Sequence, residues 1–179
     1  MTKHPRPHFI PLSSFDSTSF FDGFNISERI AKMPNVLVVG ATRGLGSELA
    51  KQYVEKEYSA YGTARSGPPK DGQSNVQWIS GVDIGQENAG KTIVDGLNGQ
   101  KLDVVIISAG FFVKESLSEP NFEEEVKMYK VCSVGPVFVV SALYKAGLLK
   151  DGSKVILISS EAGSITLRHE SEVCGFRRG

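Results

Sequence analysis

From Pro34 onward, short runs of apolar, β-branched residues alternate with stretches in which apolar positions recur every three or four residues. "NVLVVG" (35–40) is a continuous apolar run ending in glycine, the pattern of a strand covered on both faces. Leu45, Leu49, Ala50 and Tyr53 then share one face of a helix predicted over about Gly44–Lys56. "SAYGTAR" (59–65) reads as a second strand. "NVQWISGVDI" (75–84) reads as a third, with an aspartate just past its end. A weaker helical pattern covers Gln86–Leu97, and "LDVVIISAG" (102–110) is a fourth strand, apolar until Ser108. Residues 119–147 predict one long helix with Pro120 in its first turn, a favoured place, and Pro136 kinking its middle. "SKVILISS" (153–160) is the fifth strand.

This alternation of strands and helices predicts right-handed crossovers and an α/β fold, a doubly wound parallel sheet over residues 34–179. No repeat period is present. The first 33 residues differ: they mix Pro, Ser and Phe without period 2 or 3.6 and read as a loop-like or disordered arm. This arm has no apolar signal core, and Asp16, Asp22 and Glu28 argue against a transit peptide. Its phenylalanines (Phe9, Phe15, Phe20, Phe21, Phe24) are candidates for docking, and Met33 is a candidate alternative start. His4 and His8 would share a helical face, but Pro5 and Pro7 break that helix, so no metal site is expected.

Lys plus Arg equals Asp plus Glu at 20 each, so net charge points to neither nucleic acid nor a membrane surface. Apolar runs are too short to span a bilayer. Cys132 and Cys174 lack metal-ligand spacing and read as reduced thiols, which with the missing signal predicts a cytoplasmic protein.

The candidate chemistry begins at "VVGATRGLGSEL" (38–49), which places Gly40, Gly44 and Gly46 between the first strand and the first helix. Gly40 permits a sharp turn, Gly44 lets backbone approach a pyrophosphate, and Gly46 lets the helix pack close to the sheet. The helix N-terminus offers N–H groups and a positive dipole end to phosphates. Thr42, Arg43 and Leu45 lie between the glycines and belong to the same turn. The plain alternative is a tight structural turn, but the context is the one a dinucleotide cradle needs. The second strand ends in Ala64, Arg65 and Ser66 with no carboxylate to select NAD. Arg65, flanked by Arg43, suits a 2′-phosphate, so NADP is expected over NAD; the alternative is two solvated arginines.

The G-x-x-x-G-x-G spacing, "VDI" after the third strand, "SAG" closing the fourth and "ISS" closing the fifth resemble the short-chain dehydrogenase/reductase family over 34 to about 167. Within it the chain looks most like small carbonyl reductases related to sniffer and the C-factor proteins. The resemblance implies a Rossmann fold and hydride transfer between a nicotinamide and a carbonyl or alcohol carbon. It places Asp83 and Ile84 at the adenine, and Ser108, Ala109 and Gly110 along the ribose and nicotinamide. Ser108 stands where the family usually has Asn, and Asp83 alone reads equally as a turn former.

The family's catalytic set is a Ser after the fifth strand, an Asn in the long helix, and Tyr-x-x-x-Lys opening the next helix. Ser160 matches the Ser. The Asn position falls on Cys132, whose alternative reading is a small buried hydrophobe. No Tyr or Lys follows Ser160. Tyr144 and Lys145 are adjacent and precede the fifth strand, and Glu161, His169 and Glu170 read as solvated.

The resemblance therefore implies a chain truncated before its acid/base pair, an incomplete Rossmann domain whose fifth strand lies open at its edge. Three functions follow as expectations. The first is an NADP-dependent oxidoreductase of small carbonyl or alcohol compounds that is inactive as this chain alone. The second is a catalytically dead nucleotide-binding or partner-docking module. The third is a non-functional truncated product. Family members often form homo-oligomers, though through helices that include the absent one.

Overall fold

A computed structural model describes residues 33–70, 74–113 and 118–160. The expectations for the N-terminal arm, for Glu161, His169 and Glu170, and for Cys174 lie outside these residues. The described residues group as one compact unit.

In chain order the elements are β1 (Asn35–Val39), α1 (Gly44–Glu55), β2 (Ser59–Thr63), β3 (Val76–Ile79), α2 (Ala89–Leu97), β4 (Leu102–Ile107), α3 (Phe122–Tyr129), a π-helical turn (Lys130–Val134), α4 (Gly135–Lys145) and β5 (Leu149–Leu157). The five strands form one sheet in the order β3-β2-β1-β4-β5. Every pairing is parallel. This is the doubly wound arrangement: the chain winds outward from β1 to β3, then crosses to the other side of β1 for β4 and β5.

The runs of β1 and β4 are apolar because both sheet faces are covered there. On one face Leu37, Val39, Val105 and Ile107 pack with Ile93 and Leu97 of α2 and Val139 and Leu143 of α4. On the other, Val36, Val38, Val104 and Ile106 pack with Ala50, Leu49, Tyr53 and Val54 of α1. Leu45, expected on that apolar face, is instead 53% exposed at the helix start.

The long helix differs from its prediction in two ways. Pro120 lies before it rather than in its first turn. Asn121 is the N-cap, its side-chain oxygen accepting from the Glu124 N–H at 3.2 Å. Pro136 removes a backbone donor, and its ring conflicts with the carbonyl four residues back, at Cys132. The helix accommodates this with the π turn that immediately precedes α4. The continuous span Phe122–Lys145, 24 residues, is long and apolar enough by length and composition to cross a membrane, which the sequence pattern did not anticipate. In the fold it lies on the sheet, burying Met128, Val131, Val139 and Leu143, while Tyr144 is exposed.

Strand β5 is an edge strand among the described residues, and Val155, Ile156, Leu157 and Ile158 are all exposed. At the N-terminal end of the sheet, Asp103 accepts hydrogen bonds from the Asn35 backbone N–H and from Lys150 Nζ, both at 2.7 Å, tying β1, β4 and β5 together.

Candidate functional site

At the C-terminal ends of the strands, backbone groups that would otherwise be orphaned bond sideways from strand to strand. The Ser108 and Ala109 N–H groups both donate to Val39 O, at 3.0 and 2.9 Å. The Gly40 N–H donates to Thr63 Oγ1 at 2.9 Å, and Ala41 N–H to Thr63 O at 3.3 Å. Ala64 N–H donates to Ile79 O, and Val82 N–H to Ala64 O. Ile158 N–H continues the tie from β5 to Ile107 O. These bonds fix the loops that follow β1, β2, β3 and β4 as the floor and rim of one cleft.

The cleft has a volume of about 1010 Å³, the upper end of the range for small-molecule and cofactor sites. It collects Gly40, Thr42, Arg43, Gly44, Leu45, Arg65, Ser66, Asp83, Ile84, Ser108, Ala109 and Gly110, all twelve of these positions having been singled out in the sequence. Gly46, Ser160 and Cys132, also singled out, do not line it. Gly46 is buried beneath the turn, and Ser160 is exposed beyond the end of β5, where Ile158 is the last residue on that side to reach the cleft.

The glycine turn shows why these positions lack side chains. A Cβ on Gly46 would stand 2.2 Å from Gly40 O, so α1 meets the turn at backbone contact. Gly40 has φ +87, and a Cβ there would press on the backbone of Ala109 at 2.7 Å. Gly44 has φ +56, yet nothing lies within 4 Å of where its Cβ would be. At Gly44 the backbone faces open space. The N-cap Arg43 makes no side-chain cap, and the first turn of α1 carries no acid. An open, positive helix start beneath a backbone-lined space fits the phosphates of a dinucleotide.

Asp83 forms the turn that its plain reading predicted: Oδ1 accepts from the Gly85 N–H at 3.0 Å, and Gln86 N–H bonds Asp83 O. It lines the cleft as well. Arg43 and Arg65 are exposed on its rim, and neither has an ion-pair partner among the described residues.

The opposite wall comes from α3 and the π turn, through Glu123, Glu124, Val126, Lys127, Lys130 and Val131, together with Phe111. Sequence reasoning missed this wall, and it missed Thr63. A hydroxyl at the C-terminal end of β2, the end that meets the glycine turn, was the available signal for Thr63. For Phe111, Lys127 and Lys130 no local pattern exists. Cys132 is exposed rather than buried, and its thiol meets the Phe111 backbone, accepting from N–H at 3.5 Å and donating to C=O at 3.4 Å.

Comparison with known proteins matches this architecture. A 3-dehydrosphinganine reductase of Arabidopsis thaliana is 26% identical over 141 residues, 74% of this chain and 43% of that protein. A carbonyl reductase of Pseudomonas aeruginosa PAO1 in complex with NADP superposes with a TM-score of 0.67 at 26% identity, covering 75% of this chain and 64% of that one. A short-chain dehydrogenase/reductase of Burkholderia multivorans with bound NADP shares the fold at a TM-score of 0.65 and 23% identity, covering 78% and 64%. The chain thus spans less than half the length of the curated relative and about two thirds of the solved ones. The model of the short chain dehydrogenase family matches residues 34–172, strand ends and glycine turn included, and the chain belongs to that family.

Proposed function

We propose that the protein binds NADP(H) in this cleft, as a member of the oxidoreductases that interconvert carbonyl compounds and alcohols, and that this chain alone does not turn over a substrate. The observation that carries the binding reading is the open backbone at Gly44 over the uncapped start of α1. In this reading Gly40, Thr42, Arg43, Gly44 and Leu45 surround the diphosphate, with Gly46 beneath holding the helix close. Asp83 and Ile84 hold the adenine, and Ser108, Ala109 and Gly110 run along the ribose and nicotinamide. Arg65 and Ser66, with Arg43 beside them, meet the 2′-phosphate. The Arg43 and Arg65 guanidinium groups, without an ion-pair partner among the described residues, and the absence of a carboxylate closing "SAYGTAR" support NADP over NAD. So do the two relatives solved with NADP.

When bound, the nicotinamide supplies or accepts the hydride. The protein's part is to hold the substrate oxygen and move a proton to or from it. The Ser160 hydroxyl is the group assigned to hold that oxygen. The proton requires an acid tuned into range, and no Tyr with a Lys four residues later follows Ser160 in the chain. The carbonyl reductase and dehydrosphinganine reductase relatives favour a carbonyl-bearing small molecule as the substrate class. A second reading, a nucleotide-binding module that docks on a partner, is favoured by one observation, the exposed apolar run Val155–Ile158 on the edge strand.

Titration calorimetry with NADP and NAD tests the first reading, alongside NADPH oxidation with a panel of aldehydes and quinones. The expected result is binding that prefers NADP and no oxidation. Clear turnover by the pure chain overturns the inactivity, and a folded protein that binds neither nucleotide overturns the whole reading.

A further inference from the structure

Phe111 is gripped from two directions by the helix on the far side of the cleft. Its N–H and its C=O both engage the Cys132 thiol, at 3.5 and 3.4 Å. Its ring lies 4.0 Å from the Lys127 ammonium, a cation–π contact. Lys127 also pairs with Glu124 at 3.8 Å, which keeps its head on the cleft side of α3. Phe111 follows directly after Ser108, Ala109 and Gly110, is half-buried against the core, and lines the cleft.

A thiol is a weak donor and a weak acceptor. Here it satisfies both backbone groups of one residue, which a buried packing role would not require. Cys132 lies at the centre of the π turn, where one extra residue rotates the helix by about 100° relative to a regular continuation. The distortion next to Pro136 is thus what faces the thiol toward the loop after β4.

We propose that Cys132 and Lys127 are positioning residues. They clamp Phe111 as a fixed wall at the nicotinamide end of the cleft and so strengthen binding of the whole dinucleotide but not of its adenine half. The affinity part rests on the NADP reading above.

Three variants test the clamp: Cys132→Ala, Cys132→Ser and Lys127→Met. Amide exchange over residues 108–113 is followed by mass spectrometry, and calorimetry uses NADP and adenosine 2′,5′-bisphosphate, which lacks the nicotinamide half. Cys132→Ala should speed exchange at Phe111 and weaken NADP about fivefold, the worth of roughly one net hydrogen bond. Its affinity for the bisphosphate should not change. Cys132→Ser, which keeps a donor and an acceptor, should restore most of both effects, and Lys127→Met should show a smaller loss of the same kind. Unchanged exchange, or equal weakening of both nucleotides, overturns the clamp. Wild-type protein that binds neither nucleotide overturns the cofactor reading and the affinity part with it, while the exchange measurement still decides the hold on Phe111.

Discussion

One wall of the cleft is made of backbone and the other of side chains. On the β1–β2–β3 side, the surface presented to a ligand is the turn through Gly40 and Gly44, braced by Gly46 beneath it and by Thr63 at its side. On the α3 side it is Phe111, held by Lys127 and Cys132. At Gly40 and Gly46 this wall tolerates almost no change, because a single added carbon meets backbone atoms that cannot rotate away. Side-chain walls can be altered in steps. The first kind fixes where a ligand's common part sits, and the second adjusts how well a particular ligand fits.

The contrast breaks most severely at Gly46. Gly46→Val would place a branched side chain where even a Cβ is 2.2 Å from Gly40 O and 3.1 Å from Gly40 C. Overpacking of this kind costs about 1–3 kcal/mol, and more where only backbone can yield. The expected outcome is a marked fall in the thermal midpoint together with loss of nucleotide binding. A variant with wild-type midpoint and wild-type affinity would show that the backbone wall is softer than its geometry.

The glycine wall was legible because its constraint is local. A strand, a turn with positive φ and a helix start lie within a dozen residues, and only glycine meets the steric demand at Gly40 and Gly46. The two-sided parallel sheet was legible as well, since runs such as "NVLVV" and "LDVVII" announce burial on both faces; the order of its strands came only with the structure. The α3 wall was not legible. Phe111 and Cys132 are 21 residues apart, and their contact depends on a π turn that no periodicity encodes. Burial, the alternative reading of Cys132, fails: the residue is exposed and its thiol engages the Phe111 backbone instead. Leu45, on the helical stripe, faces the cleft because α1 begins at the cleft rim.

Arg65→Asp sharpens the comparison at the rim, where the backbone wall carries the exposed cations Arg43 and Arg65. The exchange removes a charge-assisted partner for a 2′-phosphate and supplies an acceptor for a 2′-hydroxyl. A hydrogen bond to a charged group is worth about 1.5–3 kcal/mol, so NADP affinity should fall roughly ten- to a hundredfold while NAD affinity rises. Calorimetry with both nucleotides reads the switch directly, and an unchanged preference would mean that Arg65 is only a solvated surface group.

The smallest expected effect lies at the opposite end of the sheet, where Asp103 joins β1 to β4 and β5. Partial burial alone would raise its pKa. The hydrogen bond from Lys150, the bond from the Asn35 N–H and the Lys150 charge together outweigh it and hold the carboxyl below its ordinary 3.8. A group with a depressed folded pKa contributes stability that is complete above the unfolded value and is lost as pH falls through the folded one. The tie should therefore be intact above about pH 4 and fade only in more acidic solution. Lys150 and Asp103 remain 38% and 32% exposed, so solvent screening limits the pair to about 1 kcal/mol or less. Asp103→Asn should lower the thermal midpoint slightly at neutral pH and flatten its acid dependence, leaving nucleotide affinity untouched, because no cleft residue belongs to this tie. Loss of binding in Asp103→Asn would show instead that the two ends of the sheet are coupled, and that the backbone wall owes part of its rigidity to contacts far from the ligand.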